Sequence, residues 1–266
     1  MQPVHLTMTD RAVRLLERTK QQGAVVEFGV FQGHGLLQIA HLMRERGMQP
    51  RLYGFDTFAG MPPTEVVGGD LVDEEWDVGA FSDTSAETVR QRFVEADFAV
   101  TLVEGVFDPS VPLSDRGIEQ VAMVHIDADI YEGYRDALTL LTPHLQAGMI
   151  LLLDESEPPG NADYFFGVQR HGQRAFHEWW LEHDVPLLHV RSEWTIAMYV
   201  VVDKPYLEEH GTFITMDLMS DTVEEALVPE IRHAIANCGS PPNMRPRLAR
   251  RMAELYQKLQ GMAAAE

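Results

Sequence analysis

Acidic residues stand at the ends of short apolar runs, where carboxylates can hold a cation or accept a proton in an α/β protein. Asp127 and Asp129 follow one such run, and Asp154 and Glu155 follow the next. In an open parallel sheet, ligands bind outside the carboxyl ends of the strands. Carboxylates from neighbouring strand ends repel one another unless a cation lies among them. The pattern therefore predicts a cation-binding edge.

The ligand atoms at this edge indicate which metal would bind. Asp127, Asp154 and Glu155 offer only carboxylate oxygens, which suit Mg²⁺, Mn²⁺ or Ca²⁺ and disfavour Zn²⁺. We predict a Mg²⁺ or Mn²⁺ site at these three residues. Two other interpretations stay open: a solvated rim of the sheet, and acids that bind only the amino-acid part of a cofactor.

A glycine-rich turn follows the first apolar run, residues 25–28. Gly29, Gly33 and Gly35 have the spacing GxxxGxG, and Glu27 lies inside the run. Dinucleotide-binding proteins have GxGxxG instead. An acid beside the turn favours a cationic ligand, so we predict S-adenosylmethionine, which carries a sulfonium and an ammonium group. A plain turn between a strand and a helix is the alternative.

Asp56 ends the second apolar run. The two oxygens of a carboxylate match the two hydroxyls of a ribose, so Asp56 is a candidate for nucleoside binding. Nicotinamide-dependent oxidoreductases use the same geometry, and that function class stays open at this point.

Apolar runs alternate with helical patterns, which is typical of a parallel sheet covered on both faces. Arg191–Trp194, the gap before the last strand, is too short for a crossover helix, so the final pair must be an antiparallel hairpin. This combination favours an α/β, Rossmann-like class I methyltransferase fold with a seven-stranded, mostly parallel sheet. We predict strands at Val25–Phe28, Arg51–Phe55, Val100–Glu104, Val121–Ile126, Met149–Leu153, Pro186–Val190 and Thr195–Val202, and helices at 10–20 (capped by Thr9-Asp10), Leu36–Arg46, Gly133–Leu145 and Gln173–Glu182.

Two segments lie outside the predicted strands and helices. Residues 60–85 form a long acidic connection with two adjacent glycines, and long loops in compact domains are usually functional. Residues 204–266 form a helical pattern that we interpret as a C-terminal appendage. We therefore predict a methyltransferase domain over 1–203, with a lid at about 60–85, and an extension over 204–266 that depends on it.

Composition excludes several classes of function. The formal net charge is −20, with 41 acidic residues against 21 Lys and Arg, so nucleic acid and anionic membranes are not expected as partners. Cys238 is the only cysteine, which fits a reducing compartment. The chain has no apolar run of the roughly 20 residues that cross a bilayer and no signal-peptide pattern at its start. We expect a cytoplasmic protein.

Other chemistries have little support. The eleven histidines show no spacing typical of metal ligands, and no GxSxG nucleophile elbow is present. A serine hydrolase is therefore disfavoured.

The chain resembles the macrocin O-methyltransferase family, whose members methylate sugar or aryl hydroxyls of antibiotics. The most specific matching segments are GFDTFAGMP and DADIYE. The full set, in order, is residues 27–33, 53–62, 79–85, 104–107, 125–132, 153–155 and 172–176.

The resemblance implies a class I, magnesium-dependent O-methyltransferase with a mobile lid. It places Glu27 and Gly29 at the methionine part of the cofactor, Asp56 at the ribose and Gly105-Val106-Phe107 beside the adenine. It assigns Asp127, Asp154 and Glu155 to the metal and Asp129 to the base. The full set of implied cofactor residues is Glu27, Gly29, Phe31, Gly33, Asp56, Thr57, Gly105, Val106, Phe107 and Asp127, and the implied catalytic pair is Asp127 and Asp129.

One departure concerns the metal. The family has paired aspartates where this chain has Asp154-Glu155. We predict methyl transfer to a hydroxyl of a small natural product, namely an antibiotic sugar, by a homodimer. The alternatives are an aryl hydroxyl acceptor, a noncatalytic protein that binds the cofactor or a partner, and a nicotinamide-dependent oxidoreductase.

Overall fold

One mixed β-sheet organises the part of the chain that the computed structural model describes, residues 4–63, 78–154, 171–193 and 196–202. The strands lie in the order 3-2-1-4-5-7-6. The first five are parallel, and the seventh runs antiparallel to both the fifth and the sixth. The predicted fold class is confirmed. The strands are β1 (Ala24–Phe28), β2 (Leu52–Asp56), β3 (Val100–Glu104), β4 (Val121–Ile126), β5 (Ile150–Leu153), β6 (Leu187–Glu193) and β7 (Ile196–Val201).

Helices cover both faces of the sheet. The first three pack on one face and the last two on the other. They are α1 (Val4–Thr19), α2 (His34–Glu45), α3 (Ala86–Glu95), α4 (Tyr131–Leu141) and α5 (His171–His183), with 3₁₀ turns at Ser114–Arg116 and Thr142–His144.

Alternating side chains of the central strands fill two apolar layers. In β1, Val25 belongs to the layer under α1 and α2, whereas Val26 and Phe28 belong to the layer under α4 and α5. All three are fully buried, and each such side chain contributes about 1.5–3 kcal/mol. Burial on both faces explains why the central strands are continuous apolar runs rather than alternating ones.

The first helix begins earlier than predicted. Thr9 and Asp10 lie inside α1 rather than at its start. Asp10 does not cap the helix, and its carboxylate instead forms ion pairs with Arg14 of the same helix and Arg46 after α2. The prediction of a cap there was wrong because the helix begins at Val4, so the N–H groups after Asp10 already have carbonyl partners within the helix.

The sequence prediction omitted α3 and misplaced other ends by up to four residues. α4 ends at Leu141, where the chain continues as the 3₁₀ turn Thr142–His144. β6 extends to Glu193 and β7 begins at Ile196, so two residues separate the last two strands instead of the predicted four.

Several predicted features lie outside the described residues. They are the middle of the lid, Glu155 with the loop that follows it, and the C-terminal extension. Among the described residues, no helix is both long and apolar enough to cross a membrane.

Candidate active site

A cavity of about 270 Å³ opens at the carboxyl ends of the parallel strands. Its walls come from the turns after β1, β2, β3 and β4 and from the start of α4. Glu27, Gly33, Gly105 and Asp154 are not among the described residues that line it. The predicted site residues that do line it are Gly29, Phe31, Asp56, Thr57, Val106, Phe107, Asp127 and Asp129.

The glycine turn after β1 is shaped by the chain's own packing. Gly29 has φ +88°, and a Cβ on it would lie 1.8 Å from the carbonyl oxygen of Asp127. Gly33 has φ +81°, and a Cβ there would lie 2.7 Å from Val89 Cγ1 of α3. The expected tight turn is present, but the atoms that require glycine at these two positions belong to the protein itself. L-residues with a Cβ rarely adopt these φ values.

Asp56 holds this turn in place as well as lining the cavity. The N–H groups of Val30 and Phe31 donate to its Oδ2 at 2.8 and 2.7 Å, and that of Phe58 donates to Oδ1 at 2.7 Å. A carboxylate has about four acceptor positions. Three backbone N–H groups therefore occupy most of these acceptor positions, and the predicted contact with a ribose would use those that remain.

Glu27 lies beneath the cavity in a buried hydrogen-bond network. Only 2% of the residue is exposed. Its Oε2 accepts the N–H of Leu36 at 3.2 Å, and its Oε1 lies 2.9 Å from Nδ1 of His125. The pairing follows from the sheet register, because Glu27 and His125 are direct neighbours on β1 and β4. A direct contact of Glu27 with a cofactor stays a prediction.

Three side chains form a cluster that can hold a metal ion. One ligand atom from each of His125, Asp127 and Asp154 lies within 4.8 Å of the others. The sequence predicted both aspartates here, whereas Glu155 lies outside the described residues. Because His125 Nδ1 faces Glu27, its Nε2 is the ring atom left for a ligand. A metal-bound histidine commonly has its second nitrogen on a carboxylate in this way.

The cluster concentrates negative charge in a poorly hydrated place. Burial, followed by repulsion from Asp154, raises the pKa of Asp127 well above its usual value. Burial alone would lower the pKa of His125, but its hydrogen bond to Glu27 and the charges of Glu27, Asp127 and Asp154 raise it to about 9. A divalent cation held by the two aspartates would relieve the same repulsion, whereas a pKa of about 9 means that His125 must lose a proton before its Nε2 can bind a metal.

Asp129 lies on a strained turn at the cavity wall. The N–H of Ile130 donates to the carbonyl of Ala128 at 2.6 Å, and Asp129 between them has φ 57°. Positive φ is uncommon for residues other than glycine. Such strain persists where the surrounding structure holds it, often at functional sites. The backbone thus fixes the position of this carboxylate.

Aromatic residues form the apolar wall. Phe107 packs edge-on against Phe28 with ring centroids 5.1 Å apart, and Phe31 packs against Phe81 at 5.3 Å. A Cβ on Gly105 would meet no atom within 4 Å, so the backbone beside Phe107 faces open space. This wall suits the flat apolar surface of a nucleobase.

The two described ends of the predicted lid are joined at its base. Met61 N–H donates to the Ala80 carbonyl at 2.8 Å, and Gly79 N–H donates to the Met61 carbonyl at 2.9 Å. Residues 60–63 and Phe81 line the cavity. The base of the segment is therefore part of the cavity wall.

A comparison with known families identifies the chain. Residues 5–171, well over half of its 266 residues, match the macrocin-O-methyltransferase (TylF) family. The chain belongs to this family. The resemblance inferred from its motifs is confirmed.

Two curated relatives of this macrocin-O-methyltransferase family member come from Streptomyces species. The 8-demethyl-8-(2,3-dimethoxy-alpha-L-rhamnosyl)-tetracenomycin-C 4'-O-methyltransferase of Streptomyces olivaceus is 31% identical over 142 residues, 50% of this chain and 52% of that protein. The demethyldecarbamoylnovobiocin O-methyltransferase of Streptomyces niveus is 27% identical over 139 residues, with the same coverage of 50% and 52%. The chain thus spans about half the length of the curated relatives it matches.

A solved structure shows the same fold. The O-methyltransferase NovP superposes with a TM-score of 0.58 at 21% identity, over 74% of this chain and 78% of that chain.

Sequence reasoning missed His125 in this family member. No histidine spacing indicated it, since its partners come from three different strands. The available signal was its position two residues before Asp127, because side chains two apart on a strand point to the same face.

Proposed function

We propose that this protein is an S-adenosylmethionine-dependent O-methyltransferase that methylates a hydroxyl of a small natural product, specifically a sugar of an antibiotic. The observation that carries the proposal is the cavity, because its wall includes both Gly29 of the glycine turn and Asp127 of the His125–Asp127–Asp154 cluster. Membership of the macrocin-O-methyltransferase family supports the reaction class.

The charge of the cavity suits a cationic cofactor. Five carboxylates line it, and none of its described lining residues is Lys, Arg or His. When bound, S-adenosylmethionine supplies an electrophilic methyl group on a positive sulfonium. Gly29, Phe31, Thr57 and Phe107 offer the turn and the apolar wall. The lining carboxylates are Asp56, Asp127, Asp129, Glu132 and Asp136.

Asp127 and Asp154 would hold the metal, with Glu155 as the predicted third carboxylate. Two or three carboxylates suit Mg²⁺ or Mn²⁺. A bound metal lowers the pKa of an acceptor hydroxyl and fixes its position. His125 and Glu27 orient the cluster from below through their hydrogen bond.

Asp129 would accept the proton of the acceptor hydroxyl. It lines the cavity two residues after Asp127, and the turn at Ala128–Ile130 fixes its backbone. A base of this kind typically contributes about 10²–10⁴-fold to the rate.

The name of the Streptomyces olivaceus relative, a 4'-O-methyltransferase of a rhamnosyl compound, supports a sugar acceptor. An aryl hydroxyl is the second candidate. The two differ in acidity, since a phenol has a pKa of about 10 and needs less activation by a metal. Activity towards a sugar hydroxyl should therefore depend more steeply on the metal.

The lone cysteine supports a reducing compartment, and we infer that the protein acts in the cytoplasm on a small-molecule acceptor.

Titration calorimetry of the full chain tests the cofactor and the metal separately. S-adenosylhomocysteine should bind with micromolar affinity, and NAD⁺ should not bind. Chelation with EDTA should abolish methyl transfer, and Mg²⁺ or Mn²⁺ should restore it. Asp154→Ala should lose activity and keep most of its affinity for S-adenosylhomocysteine, because Asp154 does not line the cavity.

Each alternative gives a different result. Binding of NAD⁺ without S-adenosylhomocysteine would indicate an oxidoreductase. Cofactor binding without turnover on any hydroxyl acceptor would indicate a noncatalytic binder. Full activity in excess chelator would contradict the metal site.

A further inference from the structure

The hydroxyl of Tyr134 lies between the ends of the two strands that carry the clustered aspartates. It lies 2.9 Å from the carbonyl oxygen of Ile126 and within hydrogen-bond distance of the carbonyl oxygen of Asp154. Ile126 immediately precedes Asp127, and the second carbonyl belongs to Asp154 itself. Tyr134 therefore contacts the backbone of both metal-binding strand ends at once.

The sheet makes this contact a link between neighbours. Ile126 pairs with Leu153 across β4 and β5, and the Asp154 N–H donates to the Ile126 carbonyl at 2.9 Å. That bond is the last rung of the ladder between the two strands. The single O–H of Tyr134 is shared between the acceptor of that bond, the Ile126 carbonyl, and the Asp154 carbonyl, which is the next one along β5's chain, so it adds a second connection at the end of the sheet.

When both are ionised, the two clustered aspartates push the ends of the strands apart. Asp127 and Asp154 are carboxylates whose ligand atoms lie within 4.8 Å of each other, and Asp154 is only 7% exposed. Repulsion between like charges is stronger where water is excluded. A fixed group that bridges the two carbonyls opposes this repulsion and keeps the carboxylates at one spacing.

The tyrosine ring is itself held rigidly. Tyr134 is 1% exposed, and it packs so closely under α5 that a Cβ on Gly172 would lie 2.5 Å from its Cε2. Its N–H also donates to the Ile130 carbonyl at 3.2 Å. Close packing of the ring, on a backbone that the helix holds, places the hydroxyl with little freedom.

We propose that Tyr134 is a positioning residue for the metal site: its hydroxyl sets the spacing of Asp127 and Asp154 by bridging the ends of β4 and β5. The inference rests on the metal site of the proposed function. The hydroxyl does not ligate the metal and does not line the cavity. Its effect reaches the metal through the two strand ends.

Binding of Mn²⁺ to Tyr134→Phe tests the proposal, because the variant keeps the ring and removes only the hydroxyl. Calorimetry should show Mn²⁺ affinity reduced about 10-fold, the lower end of what losing an outer partner of a metal site costs. Affinity for S-adenosylhomocysteine in EDTA should not change. Tyr199→Phe is the matched control, since Tyr199 is an equally buried tyrosine in the middle of β7, and its Mn²⁺ affinity should equal that of the wild type.

A second measurement does not depend on the metal. Hydrogen exchange of the Asp154 amide, followed by NMR in EDTA, should be faster in Tyr134→Phe than in the wild type and Tyr199→Phe. Unchanged Mn²⁺ affinity in Tyr134→Phe, or an equal loss in both variants, would overturn the proposal. If the wild type binds no Mn²⁺, the proposed metal site fails, and the exchange rate of Asp154 alone decides whether Tyr134 positions the strand ends.

Discussion

Asp129 combines a chemical role with a backbone constraint, and the two can be separated by substitution. Asparagine tolerates the left-handed region nearly as well as aspartate, whereas alanine does not. Asp129→Asn should keep the stability of the wild type and its affinity for S-adenosylhomocysteine, but lose about 10²-fold or more in kcat because it cannot accept a proton. Asp129→Ala should lose the same activity and, in addition, about 1 kcal/mol of stability.

Steady-state kinetics and thermal unfolding of both variants supply the measurement. Asp129→Asn with wild-type kcat would show that another group accepts the proton.

Single residues of the site differ in how far the sequence could predict them. Asp127 and Asp154 follow continuous apolar runs, and such runs end at the ligand-binding edge of a parallel sheet. The pair formed by Glu27 and His125 depends on β1 lying next to β4 with those residues in register. Strand order and register come from packing of the whole chain, so no local pattern of either segment could pair them.

At the scale of elements, the predicted strands were more reliable than the helices. Burial on both faces leaves a continuous apolar run that marks each central strand. α3 was missed because only Ala86, Val89 and Phe93 are buried in its ten residues. A local signal was present, since the side chain of Ser85 accepts the Thr88 N–H as a helix cap. The packing of Val89 against Gly33 then connects this helix to the glycine turn.

α5 carries a titratable group that makes the fold sensitive to acid. His177 is 7% exposed, and burial lowers its pKa to about 4 from an ordinary value of 6.5. Above pH 6.5 the imidazole is neutral in both the folded and the unfolded chain. Between pH 6.5 and 4 the unfolded chain binds a proton that the folded chain does not, so stability falls as the pH falls.

The expected loss from His177 is about 1.4 kcal/mol per pH unit, or about 3 kcal/mol across this window. Urea unfolding of the wild type and of His177→Phe between pH 7 and pH 4 measures it: the variant should lose less stability on acidification. His144→Phe is the control, because His144 is only partly buried and the variant shows what the replacement of a histidine by phenylalanine does by itself. Parallel pH profiles for all three proteins would show that His177 is not the acid-sensitive group.

At the scale of the whole molecule, charge opposes self-association. The net charge of −20 makes two copies repel each other, and salt screens that repulsion within about 10 Å at 0.1 M. We therefore expect a dimer of this protein to rest on apolar contacts and to become stronger as the ionic strength rises.

We propose that the C-terminal segment provides those contacts in a homodimer. Leu248, Met252, Leu255 and Leu259 recur in steps of four, three and four, the spacing of one apolar helix face; these positions lie outside the described residues. Two-fold dimers are the commonest soluble oligomers. Light scattering should give about twice the 30.0 kDa mass of one chain, and removal of residues 241–266 should give monomer or aggregate.

A pair of substitutions distinguishes the dimer from packing of the same face on its own domain. Leu255→Glu places a charge at one of the four apolar positions. Gln257→Glu adds the same charge at a nearby position that is not one of the four. If the face joins two copies, Leu255→Glu should scatter as a folded monomer and Gln257→Glu as a dimer whose affinity increases with salt. A wild-type mass near 30.0 kDa at high salt would refute the dimer.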